Sequence, residues 1–116
     1  MRLLLSWFLL LLAPNAFGDA LLVDSVPAAD AEIPHFEGKV VFRFRGNISE
    51  RWPSLVVVDE FGNRVDRGEV QIHIVKDGAE LSTVTPPLAP GRYAVRYRVL
   101  SEDGLVLSGI QYFKIR

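Results

Sequence analysis

The sequence predicts an all-β fold: a small antiparallel β-sandwich of about seven strands, Ig-like and Greek-key in character. Three observations carry this. Beyond residue 19 the apolar residues recur with a period of two, the spacing of a half-buried strand. Turn residues punctuate the chain at short intervals, as at Phe61-Gly62-Asn63, Asp77-Gly78, Pro90-Gly91 and Asp103-Gly104. No stretch sustains a helical period. Many short strands with turn signals between them read as a two-layer sandwich, and 116 residues suffice for one domain and not for two.

The strands follow in order. Residues 20–26 form the first, closed by Pro27. Residues 40–45 alternate, with Val40, Phe42 and Phe44 on one face and Val41, Arg43 and Arg45 on the other. Residues 55–58 are a continuous apolar run, short enough for a strand buried on both faces. Residues 70–75 form the next strand, with His73 pointing outward, and residues 81–84 follow the Asp77-Gly78 turn. Pro86-Pro87 and Pro90-Gly91 make a stiff corner. In the strand after it, Tyr93, Val95, Tyr97 and Val99 share the core face, and Arg92, Arg96 and Arg98 the outer one. Residues 105–115 return as the last strand, with a bulge or kink at Ser108-Gly109. Trp52-Pro53 seats a core or edge aromatic before residue 55.

Residues 1–18 read as a cleavable secretory signal peptide, and residues 19–116 as the domain. Met1-Arg2 is a positive n-region, and residues 3–12 are apolar except for Ser6. That run is shorter than the roughly 20 residues of a spanning helix and fits a secretory h-region. Small residues at Ala16 and Gly18 place the cut before Asp19. A cut after Ala20 and an uncleaved signal anchor are the competing readings. The expected location is the periplasm, with secretion as the alternative. Losing the leader removes Arg2 alone of the 13 basic residues, leaving 12 against 14 acidic ones. That balance argues against a nucleic-acid partner, which needs a basic footprint. The chain has no cysteine, so the domain stands on its core without disulfides or thiolate metal sites. Motifs of metalloproteases, serine hydrolases and phosphate loops are all missing from the sequence, so neither an enzyme nor a small-molecule substrate is expected.

Two stretches at opposite ends of the domain carry a family likeness. The first is Asp19-Ala20-Leu21 running on through Ser25-Val26-Pro27-Ala28 to Ile33. The second runs from Pro87-Leu88-Ala89-Pro90-Gly91-Arg92-Tyr93-Ala94-Val95 to Ser101-Glu102-Asp103-Gly104. They resemble the opening His-Ala segment and the Pro-Leu-x-Pro-Gly-x-Tyr-x-Val strand and Ser-x-Asp-Gly-His loop of the periplasmic copper-binding CopC family. The resemblance implies a copper(II) site built from the N-terminal histidine, the loop aspartate and the loop histidine, imidazole being well suited to Cu(II). Here Asp19 stands at the first position, Asp103 keeps the second, and Leu105 replaces the third. Asp19 and Asp103 are thus the residual metal candidates, in a site expected to hold copper weakly or not at all. The competing reading makes Asp103 a plain turn residue. His35 and His73 read as loop and surface histidines, and the sole methionine, Met1, is lost with the leader, so a thioether Cu(I) site is not expected.

The function implied is that of an accessory protein in copper homeostasis, beside a copper-handling inner-membrane protein. The alternative is a non-metal Ig-like interaction module. Arg43 and Arg45 on one strand, and Arg92, Arg96 and Arg98 on another, form a candidate partner face if those strands are neighbours in one sheet. Otherwise the arginines belong to a solvated, ion-paired surface.

Overall fold

The computed structural model describes residues 20–116. Residues 1–18, read from the sequence as a signal peptide, and Asp19 lie outside the described residues. Eight strands run in chain order: β1 (Leu21–Val26), β2 (Ala31–Ile33), β3 (Lys39–Arg45), β4 (Ile48–Asp59), β5 (Gln71–Val75), β6 (Gly78–Val84), β7 (Gly91–Ser101) and β8 (Val106–Ile115). They form two four-stranded sheets, ordered β1-β3-β6-β5 and β2-β8-β7-β4. The all-β sandwich is as expected. The additional strand is β2, whose three residues pair in parallel with Phe113, Lys114 and Ile115 of β8, so the second sheet is mixed rather than purely antiparallel.

Alternation decides which side chains meet between the sheets. Val40, Phe42 and Phe44 of β3 are buried, and Leu81 and Ala79 of β6 lie beside them. From the second sheet come Leu55 and Val57 of β4, Val95 and Val99 of β7, and Phe113 and Ile115 of β8. Tyr97 joins the same face at the rim, half-buried, with its ring centroid 5.2 Å from Phe42 and 5.6 Å from Phe44. Val56 and Val58 are only half-buried, so the apolar run in β4 is covered fully on one face alone.

Ser108-Gly109 is not a bulge. The β7–β8 ladder runs without a register shift from Gly91↔Ile115 to Leu100↔Val106. Gly109 stands opposite Tyr97, and a Cβ there would lie 2.7 Å from the ring's Cζ and 2.9 Å from its Cε1. The glycine leaves room for the aromatic ring. The irregularity of the second sheet is instead in β4, between Ser49 and Ser54, where Trp52 has φ of 51°.

At the stiff corner before β7, the Tyr93 hydroxyl donates a 2.5 Å hydrogen bond to the Ala89 carbonyl, four residues upstream. This is the tyrosine-corner arrangement of Greek-key sandwiches. Burial, reinforced by the negative charges of Asp59 and Glu60, raises the phenol's pKa above 10.0. Folded Tyr93 therefore keeps its proton at a pH where the unfolded chain has lost it. Its contribution to stability is complete below about pH 10 and falls away as pH rises further. Tyr93→Phe should cost about 0.5–1.5 kcal/mol near neutral pH and flatten the alkaline loss. Urea midpoints at neutral and strongly alkaline pH would measure both effects.

Candidate functional site

The Asp-Gly pair predicted as a turn closes the β7–β8 hairpin, and its residues satisfy one another. The Ser101 hydroxyl donates a short hydrogen bond to Oδ1 of Asp103 and accepts the Leu105 amide at 3.0 Å. The Gly104 amide reaches the Ser101 carbonyl at 3.0 Å, and the Ser101 amide reaches that of Leu105 at 2.8 Å. Gly104 has φ of 91°, a left-handed conformation that glycine adopts at little cost. Glu102 donates its amide to the Asn47 carbonyl at 2.9 Å, tying the turn to the β3–β4 connection. Leu21 pairs with Arg45, two residues before Asn47, so the start of β1 and the Asp103 turn share one end of the sandwich. Of the two metal candidates, Asp103 stands exposed on this turn, and Asp19 precedes β1 outside the described residues.

The described residues do not fit a Cu(II) ion. Among them, no three histidine, aspartate or glutamate side chains come together as a metal-holding group. Leu105 projects an exposed aliphatic side chain from the turn at the position where the family resemblance implies an imidazole. One oxygen of Asp103 is already engaged by Ser101. His35 lies in the loop after β2, 3.8 Å from Glu37. Since Ile33 pairs with Ile115 at the far end of β8, His35 is roughly 30 Å from the turn at about 3.3 Å per strand residue. His73 is exposed on β5, opposite Glu80.

The two arginine rows do not form one face. Strands β3 and β7 belong to different sheets, so Arg43 and Arg45 lie on one outer surface, and Arg92, Arg96 and Arg98 on the other. The rows also differ in chemistry. Arg43 bonds Glu80 at 3.0 Å and Asp24 at 3.1 Å, and these two hydrogen bonds, first to Glu80 and then to Asp24, raise its pKa above the usual guanidinium value. Among the described residues, Arg92, Arg96 and Arg98 have no such carboxylate partners.

Trp52 is not a core residue. The left-handed turn of the β4 irregularity throws it outward, leaving it 69% exposed. The Arg51 guanidinium lies 5.9 Å from its ring centroid, and Arg98, Leu100 and Val106 border it. Of the two places expected for it, core or edge, the edge holds: Trp52 stands on β4, the outer strand of its sheet.

Comparison with known proteins places this architecture. The chain is 28% identical over 114 residues to the copper transport protein CutJ of Bacillus subtilis, an alignment covering 97% of this chain and 21% of that protein. It thus spans about a fifth of that relative's length. Among solved structures it resembles CopC from Methylosinus trichosporium OB3b, with a TM-score of 0.69 and 30% identity over 84% of this chain and 93% of that one. PcoC, a methionine-rich copper resistance protein from Escherichia coli, shares the fold with a TM-score of 0.67 at 21% identity, over 84% of this chain and 98% of that one. The CopC domain family model matches residues 22–116, which is all but the first two of the described residues, and the chain belongs to that family.

Proposed function

We propose that this CopC domain serves copper homeostasis as an exported accessory module, working beside a copper-handling membrane protein while binding Cu(II) weakly or not at all. The observation that carries this reading is the Asp103 turn. It is closed by its own Ser101 hydroxyl, and it presents Leu105 where the family places an imidazole. The terminal amine with the Asp19 and Asp103 carboxylates is a poorer donor set for Cu(II) than imidazoles. The likeness to CutJ, named as a copper transport protein, supports the link to copper. The leader at residues 1–18 supports export to the periplasm. Among the described residues, no helix is long and apolar enough to cross a membrane.

Titrating the secreted protein with Cu(II) against a competing chelator tests the reading. The expected result is no stoichiometric binding, and tight one-to-one binding would overturn it. Asp19→His combined with Leu105→His should raise the affinity by at least tenfold, since it supplies the two missing imidazoles. Failure of that folded double variant would mean that the two positions do not meet. Intact mass of the same product reports whether it begins at Asp19. The competing reading, an interaction module unconnected with copper, draws on the unpaired arginines of β7. It would gain if no copper membrane protein is encoded beside this chain.

A further inference from the structure

The outer face of the β2-β8-β7-β4 sheet carries a strip whose order of side chains is informative. Along β7, Arg96 has Val56 of β4 on one side and Ile110 of β8 on the other, while Arg98 lies between Ser54 and Ser108. One end of the strip is apolar through Val58 and Tyr112, which flank Ala94. The other end is apolar through Leu100, Val106 and the exposed Trp52. The order is therefore apolar, basic, basic, apolar.

Two adjoining depressions run along it. One, of about 850 Å³, lies over Val56, Val58 and Ile110 beside both arginines. The second, of about 410 Å³, lies against Trp52, Leu100 and Val106 and shares Arg98. No carboxylate lines either depression. Among the described residues, Arg96 and Arg98 make no ion pair, whereas Arg43 on the opposite face holds two carboxylates. Arg96 and Arg98 thus stand side by side on this strip with no carboxylate beside them.

We infer that this strip docks an extended segment of a partner protein, with two carboxylates spaced two residues apart and an apolar side chain beyond each. The spacing follows from strand geometry. Arg96 and Arg98 lie about 6.6–7 Å apart along β7, and alternate side chains of an extended peptide have the same separation. Carboxylates meeting guanidinium groups make strong charge-assisted hydrogen bonds. The flanking apolar residues would cover Trp52 and Val106 at one end and Val58 at the other. An anionic bilayer would offer the same negative charge, and the vesicle arm of the test below separates it from a peptide. The inference rests on the partner-binding half of the function proposed above and is independent of whether copper binds.

The probe is a fluorescently labelled peptide, Leu-Ser-Asp-Ser-Asp-Ser-Leu with blocked ends, titrated into the secreted protein at low salt and followed by anisotropy. The expected result is saturable binding that weakens with salt and falls roughly tenfold in Arg96→Gln/Arg98→Gln. Circular dichroism should show that variant still folded. Replacing both aspartates of the peptide with asparagine should produce the same loss. The inference is overturned if the asparagine peptide binds as well, if the arginine variant binds unchanged, or if no peptide binds. It is equally overturned if phosphatidylglycerol vesicles, rather than the peptide, give arginine-dependent binding. None of these failures touches the copper reading, which is decided at the Asp103 end by the Cu(II) titration.

Discussion

Phe42→Ala is expected to remove about 3–5 kcal/mol of stability. Phe42 is completely buried in β3, paired with Leu81 in the register of β6, and its ring lies 5.2 Å from that of Tyr97 across the sandwich. Truncation loses the transfer free energy of the ring and leaves a cavity at the meeting point of both sheets. Domains of this size have a total stability of roughly 5–15 kcal/mol, and this one has no disulfide to add to it. The variant should therefore lie near its unfolding midpoint at moderate urea. Arg96→Ala, an exposed change on β7, should stay within about 0.5 kcal/mol. Equilibrium urea curves on the two variants provide the comparison. A larger loss for Arg96→Ala would refute the assignment of faces.

The second large effect is expected from a single methyl group. Gly78 opens β6 opposite Arg45. A Cβ at Gly78 would overlap the Phe44 carbonyl oxygen and come within 3.0 Å of the Phe44 carbonyl carbon and 3.2 Å of the Arg45 Cα. All three atoms are backbone, so no side-chain rotation relieves the contact, and β3 itself would have to move. Gly78→Ala should cost about 2–3 kcal/mol. Gly62→Ala provides the contrast: unlike Gly78 it has a positive φ of 85°, with open space around it, and should cost about 1–2 kcal/mol from backbone strain alone. Urea midpoints again decide. Equal losses at the two positions would mean that β3 and β6 are not as closely apposed as described.

The strands legible in the sequence are those where burial on one face imposes alternation. Val40, Phe42 and Phe44, and Tyr93, Val95 and Val99, could be assigned to the core because the period of two leaves no other face for them. Alternation separates faces but carries no information about sheets, which is why the rows of Arg43 and Arg96 could be imagined side by side. The strand β2 was illegible for another reason: three residues are too few to show a period, and backbone pairing with β8, 82 residues later, defines it. Pairing with β7 likewise continues β4 back to Ile48, through a stretch whose Glu50, Arg51 and Pro53 read locally as a loop. At the candidate site, the replacement of an imidazole by Leu105 is plain from residue identity. The engagement of Asp103 by Ser101 depends on the turn's conformation, as does the exposure of Trp52.

The short parallel pair between β2 and β8 has a kinetic meaning. Ala31 meets Phe113, so the second sheet cannot close its edge until nearly the whole domain is available. Loops of this length are entropically slow to close, and sandwiches built on such distant pairings typically fold in milliseconds to seconds. A chain emerging N-terminus first would keep Phe42, Leu55 and Val57 uncovered through that interval. Folding is therefore expected to finish only once β8 has arrived to pair with both β7 and β2.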